Sequence, residues 1–182
     1  MSEHYLNRIL TGSAMKLVYE LNSAARRNPV MEYLGNQELL KLKKTAFLAS
    51  STIPLDMVMK CYDWAAGKHG EGECVVSGFS SKLERDVLHF LIKAECPIIL
   101  VLARRMYREI PEELKEPLAQ GRLLIISTNN AVRQSKVTAL VRNKYVCELA
   151  DSIIFVGVTP KSSLQQLKEA FNAKKSTAWV MS

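Results

Sequence analysis

From residue 45 onward, short unbroken apolar runs alternate with segments in which apolar positions recur every three or four residues. The first kind of pattern predicts strands, the second helices. Strands are expected at 45–50, 74–77, 98–103, 123–127, 153–158 and 177–181. Helices are expected over 56–68, 82–94, 111–120, 135–150 and 163–174; Pro54 and Asp56 open the first, and Gly121 stops the third. The strands are continuously apolar instead of alternating, as strands are when helices cover both faces of their sheet. Regular strand–helix alternation then predicts an α/β fold with a doubly wound, mostly parallel sheet of five to seven strands. Residues 1–44 read differently. Leu6, Ile9, Leu10, Met15, Leu17, Val18 and Leu21 have helical spacing, and Arg26-Arg27-Asn28-Pro29 reads as a break, because proline disfavours helix at the residue before it. The expected organisation is a short helical N-terminal extension over 1–44, with residues 1–32 packing outside the sheet, followed by one α/β domain over 45–182. No internal repeat or low-complexity segment interrupts it.

Composition narrows the class. An apolar content of 48% in 182 residues excludes a disordered chain and suits a single core. No apolar run approaches the roughly 20 residues of a spanning helix. The N-terminus lacks the charged-then-apolar order of a secretory signal, so a cytoplasmic protein without membrane attachment is expected. Cys61, Cys74, Cys96 and Cys147 lie far apart among apolar neighbours, which reads as buried reduced thiols and not as a metal or redox site. The net charge is +7, and its placement says more than its size. Residues 1–119 balance 16 Lys/Arg against 15 Asp/Glu, whereas residues 120–182 carry 9 against 3. A concentrated excess of this kind attracts a polyanion, although a solvated basic face has the same composition.

In an open parallel sheet, ligands bind at the carboxyl ends of the strands. Here those ends deliver Ser50-Ser51-Thr52, Ser77-Gly78-Phe79-Ser80, Arg104-Arg105, Ser127-Thr128-Asn129-Asn130 and Thr159-Pro160-Lys161-Ser162-Ser163. Hydroxyls, amides and cations dominate, and Asp, Glu and His are nearly missing. His4, His69 and His89 follow none of the strands. General acid–base and nucleophilic catalysis need a positioned base, so this composition favours binding phosphate over breaking bonds. No Gly-x-x-x-x-Gly-Lys or Gly-x-Gly-x-x-Gly loop is present, and no cofactor or metal is implied. Phe79, Tyr107 and Tyr145 are the candidates for stacking on a base.

Each polar cluster also has a structural explanation. Ser81-Lys82-Leu83-Glu84 fits a capping box, which accounts for Ser81 and Glu84 without a ligand, and a carboxylate there competes with a bound phosphate. Gly78 suits a tight strand-to-helix turn. Ser162 or Ser163 can cap the helix that follows. Arg142 borders the apolar stripe Val137, Val141, Tyr145 and Leu149, and an arginine so placed calls for an anionic or carbonyl partner.

Taken in order, Tyr33-Leu34-Gly35-Asn36, Thr45 through Ser51, Val76-Ser77-Gly78-Phe79, Arg142-Asn143-Lys144 and Lys161-Ser162-Ser163-Leu164 resemble the Rossmann-like domain of the DNA-processing DprA/Smf family, within the SLOG nucleotide-binding superfamily. The resemblance covers roughly residues 33–182. It implies a Rossmann-like domain and a pocket along which single-stranded DNA phosphates lie, contacted by Ser50, Ser51, Ser77, Gly78, Phe79, Ser80, Arg104, Arg142, Asn143, Lys144, Lys161 and Ser162. Ser51 stands where the family has arginine, and Lys161-Ser162 replaces a Ser-Gly pair. No counterpart of the family's winged-helix module is expected within residues 1–182, and the Pro-Gly-Gly-x-Gly-Thr loop of related phosphoribohydrolases is missing from them. Two readings follow: a single-stranded DNA-binding protein, or a nucleotide-binding sensor or nucleotide-processing enzyme of the SLOG/LOG type at the same crevice. Self-association into a homodimer stays open.

Overall fold

The computed structural model describes residues 31–69, 72–171 and 176–181. The helices expected over residues 1–30 lie outside the described residues. Seven strands form one sheet: β1 (Glu32–Gly35), β2 (Lys43–Ala49), β3 (Glu73–Ser77), β4 (Ile98–Leu102), β5 (Leu123–Ser127), β6 (Ser152–Val156) and β7 (Ser176–Met181). Their spatial order is β1-β5-β4-β3-β2-β6-β7. Every pairing from β5 across to β7 is parallel, and β1 alone runs antiparallel, with Glu32 opposite Ser127. Five helices join the parallel strands: α1 (Leu55–Ala66), α2 (Lys82–Lys93), α3 (Glu112–Ala119), α4 (Lys136–Leu149) and α5 (Ser163–Phe171).

Side chains alternate across β2 to β6, and both faces of these strands are covered. On one face Phe47, Val75, Leu100 and Ile125 pack with Met57, Val87 and Leu114 from α1, α2 and α3. On the other, Leu48, Val76, Val101 and Leu124 pack with Leu140 and Val146 of α4 and Leu164 and Leu167 of α5. This double burial is the physical reason for the continuous apolar strands. The four cysteines are buried, and desolvation pushes the Cys61 thiol up to about 11 and the Cys74 thiol to about 12.

One element departs from the sequence reading. Residues 32–35, expected within a helical segment, form β1, and a 3-10 helix over Gln37–Lys41 leads directly into β2. Four residues without a clear alternation carry little signal by themselves. β1 exists because β5 offers it a ladder partner about 90 positions later.

The connectivity fixes where a ligand can bind. From β2 the chain builds outward through β3, β4 and β5, then returns to place β6 on the other side of β2. The strand order therefore reverses between β2 and β6, and the loops leaving these neighbours diverge to opposite faces. A crevice at their carboxyl ends is the geometric consequence.

Candidate functional site

The junction from β3 to α2 is closed by the chain itself. Ser81 caps α2 by accepting from the Glu84 N–H at 3.2 Å, and Glu84 Oε2 accepts from the Ser81 N–H at 3.0 Å, completing the expected capping box. Glu84 does more than cap. Its Oε2 also accepts from the Ser80 N–H at 2.8 Å, and its Oε1 from the Ala49 N–H at 3.0 Å. A buried carboxylate thus sits where a helix N-terminus would hold an external anion, and it ties the end of β2 to the start of α2.

Arg142 is the buried cation of the site, 2% exposed on α4. Its Nη1 donates to the Val101 carbonyl at 3.2 Å, its Nη2 to Ser80 Oγ at 3.0 Å and its Nε to Asn143 Oδ1 at 2.7 Å. Desolvation lowers the guanidinium pKa and the nearby Glu84 charge opposes that shift. Ser80 bridges the two charges: its hydroxyl meets Arg142 while its N–H meets Glu84. Gly78 has a steric purpose here, since a Cβ at this position would fall inside the Arg142 guanidinium.

Above this layer lies a cleft of about 360 Å³ at the β2/β6 reversal. The turn after β2 supplies Ser50, Ser51 and Thr52, and the loop after β6 supplies Thr159, Ser162 and Ser163. Ser80, Arg142 and Asn143 form the inner wall, with Ala139 and Leu164 as small apolar surfaces. Ser50 is held by its N–H to the Val156 carbonyl at 3.0 Å and by its hydroxyl to the Thr52 carbonyl at 3.0 Å. Gly157, at φ +65, makes room for that turn; a Cβ would approach Ser50 Oγ to 2.9 Å. Ser162 donates to the Thr159 carbonyl at 2.6 Å and accepts from the Gln165 N–H at 3.1 Å, capping α5 as its spacing suggests. The N-terminus of α5 opens onto the cleft through Ser163. Among the described residues the only carboxylate in the walls is Glu84, with both oxygens engaged by backbone N–H groups.

Of the residues expected at the site, Ser50, Ser51, Ser80, Arg142, Asn143 and Ser162 share this cleft. Ser77 and Gly78 are buried behind it; Ser77 Oγ accepts from the Phe79 N–H at 3.2 Å. Phe79 does not face a ligand. It adopts φ +45 and turns into the apolar core on the α1–α3 side, 5% exposed. The Arg104 guanidinium lies over the Tyr107 ring at 4.6 Å, at the end of β4. Lys144 is exposed and pairs with Glu148 at 3.7 Å on the surface of α4. Lys161 is exposed at φ +64 in the loop beside the cleft without lining it. Thr52, Thr159 and Ser163 join the walls; their signal was their place immediately after β2 and β6. A second hollow of about 580 Å³ lies along α3, with Glu109 and Lys115 its charged walls, and it has no hydroxyl cluster. Among the described residues, no helix is long and apolar enough to cross a membrane, and no group of three His, Cys, Asp or Glu side chains is placed to hold a metal.

Sheet, helices and crevice together define a Rossmann-like α/β domain with a hydroxyl-lined cleft at its switch point. No family model matches the sequence, and no curated protein is significantly similar to it. Solved structures are similar. DNA processing protein A (DprA) of Streptococcus pneumoniae aligns with a TM-score of 0.61 and 19% identity over 83% of this chain and 56% of its own. DprA of Helicobacter pylori, whose structure concerns a single-stranded DNA binding mode, aligns with a TM-score of 0.64 and 19% identity over 79% of this chain and 69% of its own. The chain therefore has the fold of a DprA-like Rossmann domain, and it spans little more than half the length of the Streptococcus protein.

Proposed function

We propose that this is a DprA-like nucleic-acid-binding protein that takes single-stranded DNA phosphates into the cleft at the carboxyl edge of the sheet. The observation that carries the reading is the cleft itself: hydroxyls, an amide and the N-terminus of α5 surround one buried arginine at the strand-order reversal. Such donors suit phosphate oxygens, and helix N-termini favour anions. The fold shared with the Helicobacter pylori protein supports the same choice of ligand. We assign the cleft binding and no proton transfer: both Glu84 oxygens accept backbone N–H bonds, and among the described residues no imidazole lines the walls. A mononucleotide sensor is the second reading, since about 360 Å³ lies within the range of small-ligand pockets.

Fluorescence anisotropy with labelled oligothymidylate and a panel of mononucleotides, each at two salt concentrations, tests both. Ser51→Glu and Ser163→Glu place a negative charge in the cleft at exposed positions, where folding tolerates them. Each should weaken oligonucleotide binding about tenfold or more, through repulsion of the phosphates. Unchanged affinity in both variants removes the cleft from DNA binding. Stoichiometric binding of one mononucleotide that displaces the oligonucleotide would establish the sensor reading instead.

A further inference from the structure

The α1–α3 face of the sheet is covered unevenly. α3 packs over β5, and β1 extends the sheet one strand further. Leu34 of β1 stands opposite Ile125, which packs in the core of this face, yet Leu34 itself is 36% exposed. On the same side lies the hollow of about 580 Å³ along α3, walled by Ile110, Leu118 and Ala119 with the charged Glu109 and Lys115. Leu118 joins hollow and strand, since a Cβ at Gly35 would come within 2.8 Å of its Cδ1. Apolar surface of this kind is stabilised by whatever removes it from water.

The chain itself supplies an occupant of matching chemistry. Residues 1–30 precede β1 and lie outside the described residues. In the sequence, Ala14, Leu17, Val18 and Leu21 recur at the spacing of a helix with one apolar face, and Leu6, Ile9 and Leu10 precede them at a similar spacing. Eight residues from Ala14 to Leu21 would make about 12 Å of helix, the length of the eight-residue α3. The point of attachment also fits. Glu32, the first residue of β1, stands opposite Ser127 at the carboxyl end of β5, the edge at which Glu109 and Ile110 lead into α3. Residues 22–30 reach up to about 30 Å, well beyond the roughly 8–10 Å that separates packed helices. Charge agrees as well. Glu109, Glu112, Glu113 and Glu116 outnumber Arg108 and Lys115 along α3, and of these carboxylates only Glu112 is ion-paired among the described residues. Residues 1–30 have the opposite balance, Arg8, Lys16, Arg26 and Arg27 against Glu3 and Glu20. α1 exposes Leu55 and Met59, but it joins β2 to β3, three to four strands away from β1.

We infer that the hollow along α3 is the docking site of this chain's own residues 6–21, whose apolar stripe fills it and whose cations meet the α3 carboxylates. The docked segment completes the α1–α3 face at the β1 edge and takes Leu34 out of water. The inference goes beyond the DNA-binding reading of the cleft and does not depend on it. The tether is what favours this occupant over a second copy of the chain. A short linker holds the segment at an effective concentration of about 1 mM, so even a weak intrinsic affinity keeps it docked. A second copy must reach the same occupancy from solution.

Amide hydrogen exchange of the full chain, read by mass spectrometry at two protein concentrations, tests the docking. In the parent, the amides of residues 6–21 should exchange at least about tenfold more slowly than those of an unprotected chain. Ala119 is exposed, so Ala119→Arg keeps the fold and sets a cation where the segment docks. Leu17→Glu/Leu21→Glu breaks the same contact from the other side. Each variant should return residues 6–21 to unprotected exchange while β4 and β5 keep parental protection. Met59→Arg, at an exposed position of α1, is the control and should change nothing. Unprotected exchange in the parent, or protection that survives Ala119→Arg, overturns the inference. Protection lost with Met59→Arg and kept with Ala119→Arg moves the segment to α1 and overturns it too. Protection that rises with protein concentration gives the hollow to a second copy instead. Oligonucleotide binding enters none of these readouts, so failure here and failure of the cleft reading are separate results.

Discussion

At the scale of single residues, the site is organised by an internal charge pair that never touches directly. Glu84 holds three backbone N–H groups and Arg142 holds a carbonyl and two side chains, with Ser80 linking them. Removing one partner strands the other, which for buried charges costs about 3–5 kcal/mol. Glu84→Ala should lose about that much in urea unfolding, and Glu84→Gln about half, because the amide keeps one acceptor. Gly78→Ala should cost at least about 3 kcal/mol by the same measurement, because its methyl group displaces the guanidinium from its bonds. A Gly78→Ala protein as stable as the parent would mean that Arg142 has room to move and that its bonds matter little. Part of this was legible in the sequence. Ser81 and Glu84 announce a capping box because that motif is local, its ends three positions apart. The bond from Glu84 to Ala49 was not legible, since it spans 35 positions and depends on β2 lying beside β3. Phe79 failed for a different reason. Its side chain is buried in the core on the α1–α3 side, with the backbone at φ +45, and that depends on how the turn from β3 to α2 closes, which an aromatic residue after Ser-Gly does not reveal.

At the scale of elements, the parallel strands and five helices fall close to where periodicity put them, because burial on both faces writes itself into unbroken apolar runs. β1 escaped for want of any such run. One contact between elements makes a distinct prediction. Tyr62 on α1 donates to Asp86 Oδ2 on α2 at 2.7 Å, binding the two helices above the β2–β3 pair. That hydrogen bond holds the Asp86 carboxyl below its ordinary value, and it pushes the Tyr62 hydroxyl up to about 12. A depressed carboxylate contributes stability that is present above its unfolded pKa and lost as pH falls through the folded one. A raised tyrosine contributes stability that is present below its unfolded pKa and lost as pH rises through about 12. Solvent screens the pair, so the tie is worth about 1 kcal/mol. Tyr62→Phe should therefore cost about that amount across roughly pH 5–9, with the difference from the parent beginning to shrink near pH 4 and gone only below the depressed folded pKa of Asp86. A penalty that persists unchanged into acid would assign the effect to packing against Phe90, whose ring lies 4.9 Å from that of Tyr62.

At the scale of the whole molecule, the lysines of one edge of the sheet are paired among the described residues in a way the composition did not reveal. Counting along the chain places the excess in the final third, whereas the fold pairs the lysines near the starts of β2, β3 and β6 and leaves Arg122, before β5, with Gln120 as its side-chain partner. At the amino edge, where β2, β3 and β6 begin, the lysines are paired: Lys43 and Lys68 with Glu73 at 3.3 and 2.9 Å, and Lys44 with Asp151 at 3.4 Å. Glu73 is accordingly held below its ordinary pKa, chiefly by its hydrogen bond from Lys68. At the carboxyl edge the arginines of the β4 and β5 loops carry no such partners among the described residues. If the net charge of +7 attracted DNA as a uniform cloud, cations at either edge would contribute alike. The pairing of Lys43 and Lys68 with Glu73 predicts that they do not. Lys43→Gln/Lys68→Gln should cost less than about 1 kcal/mol of stability, as exposed or half-exposed pairs do. It should leave both the affinity for oligothymidylate and the salt slope at parental values, because those lysines already neutralise Glu73 and lie at the far edge from the cleft. A fall in affinity equal to that of Ser51→Glu or Ser163→Glu would show that binding follows total charge and has no preferred edge.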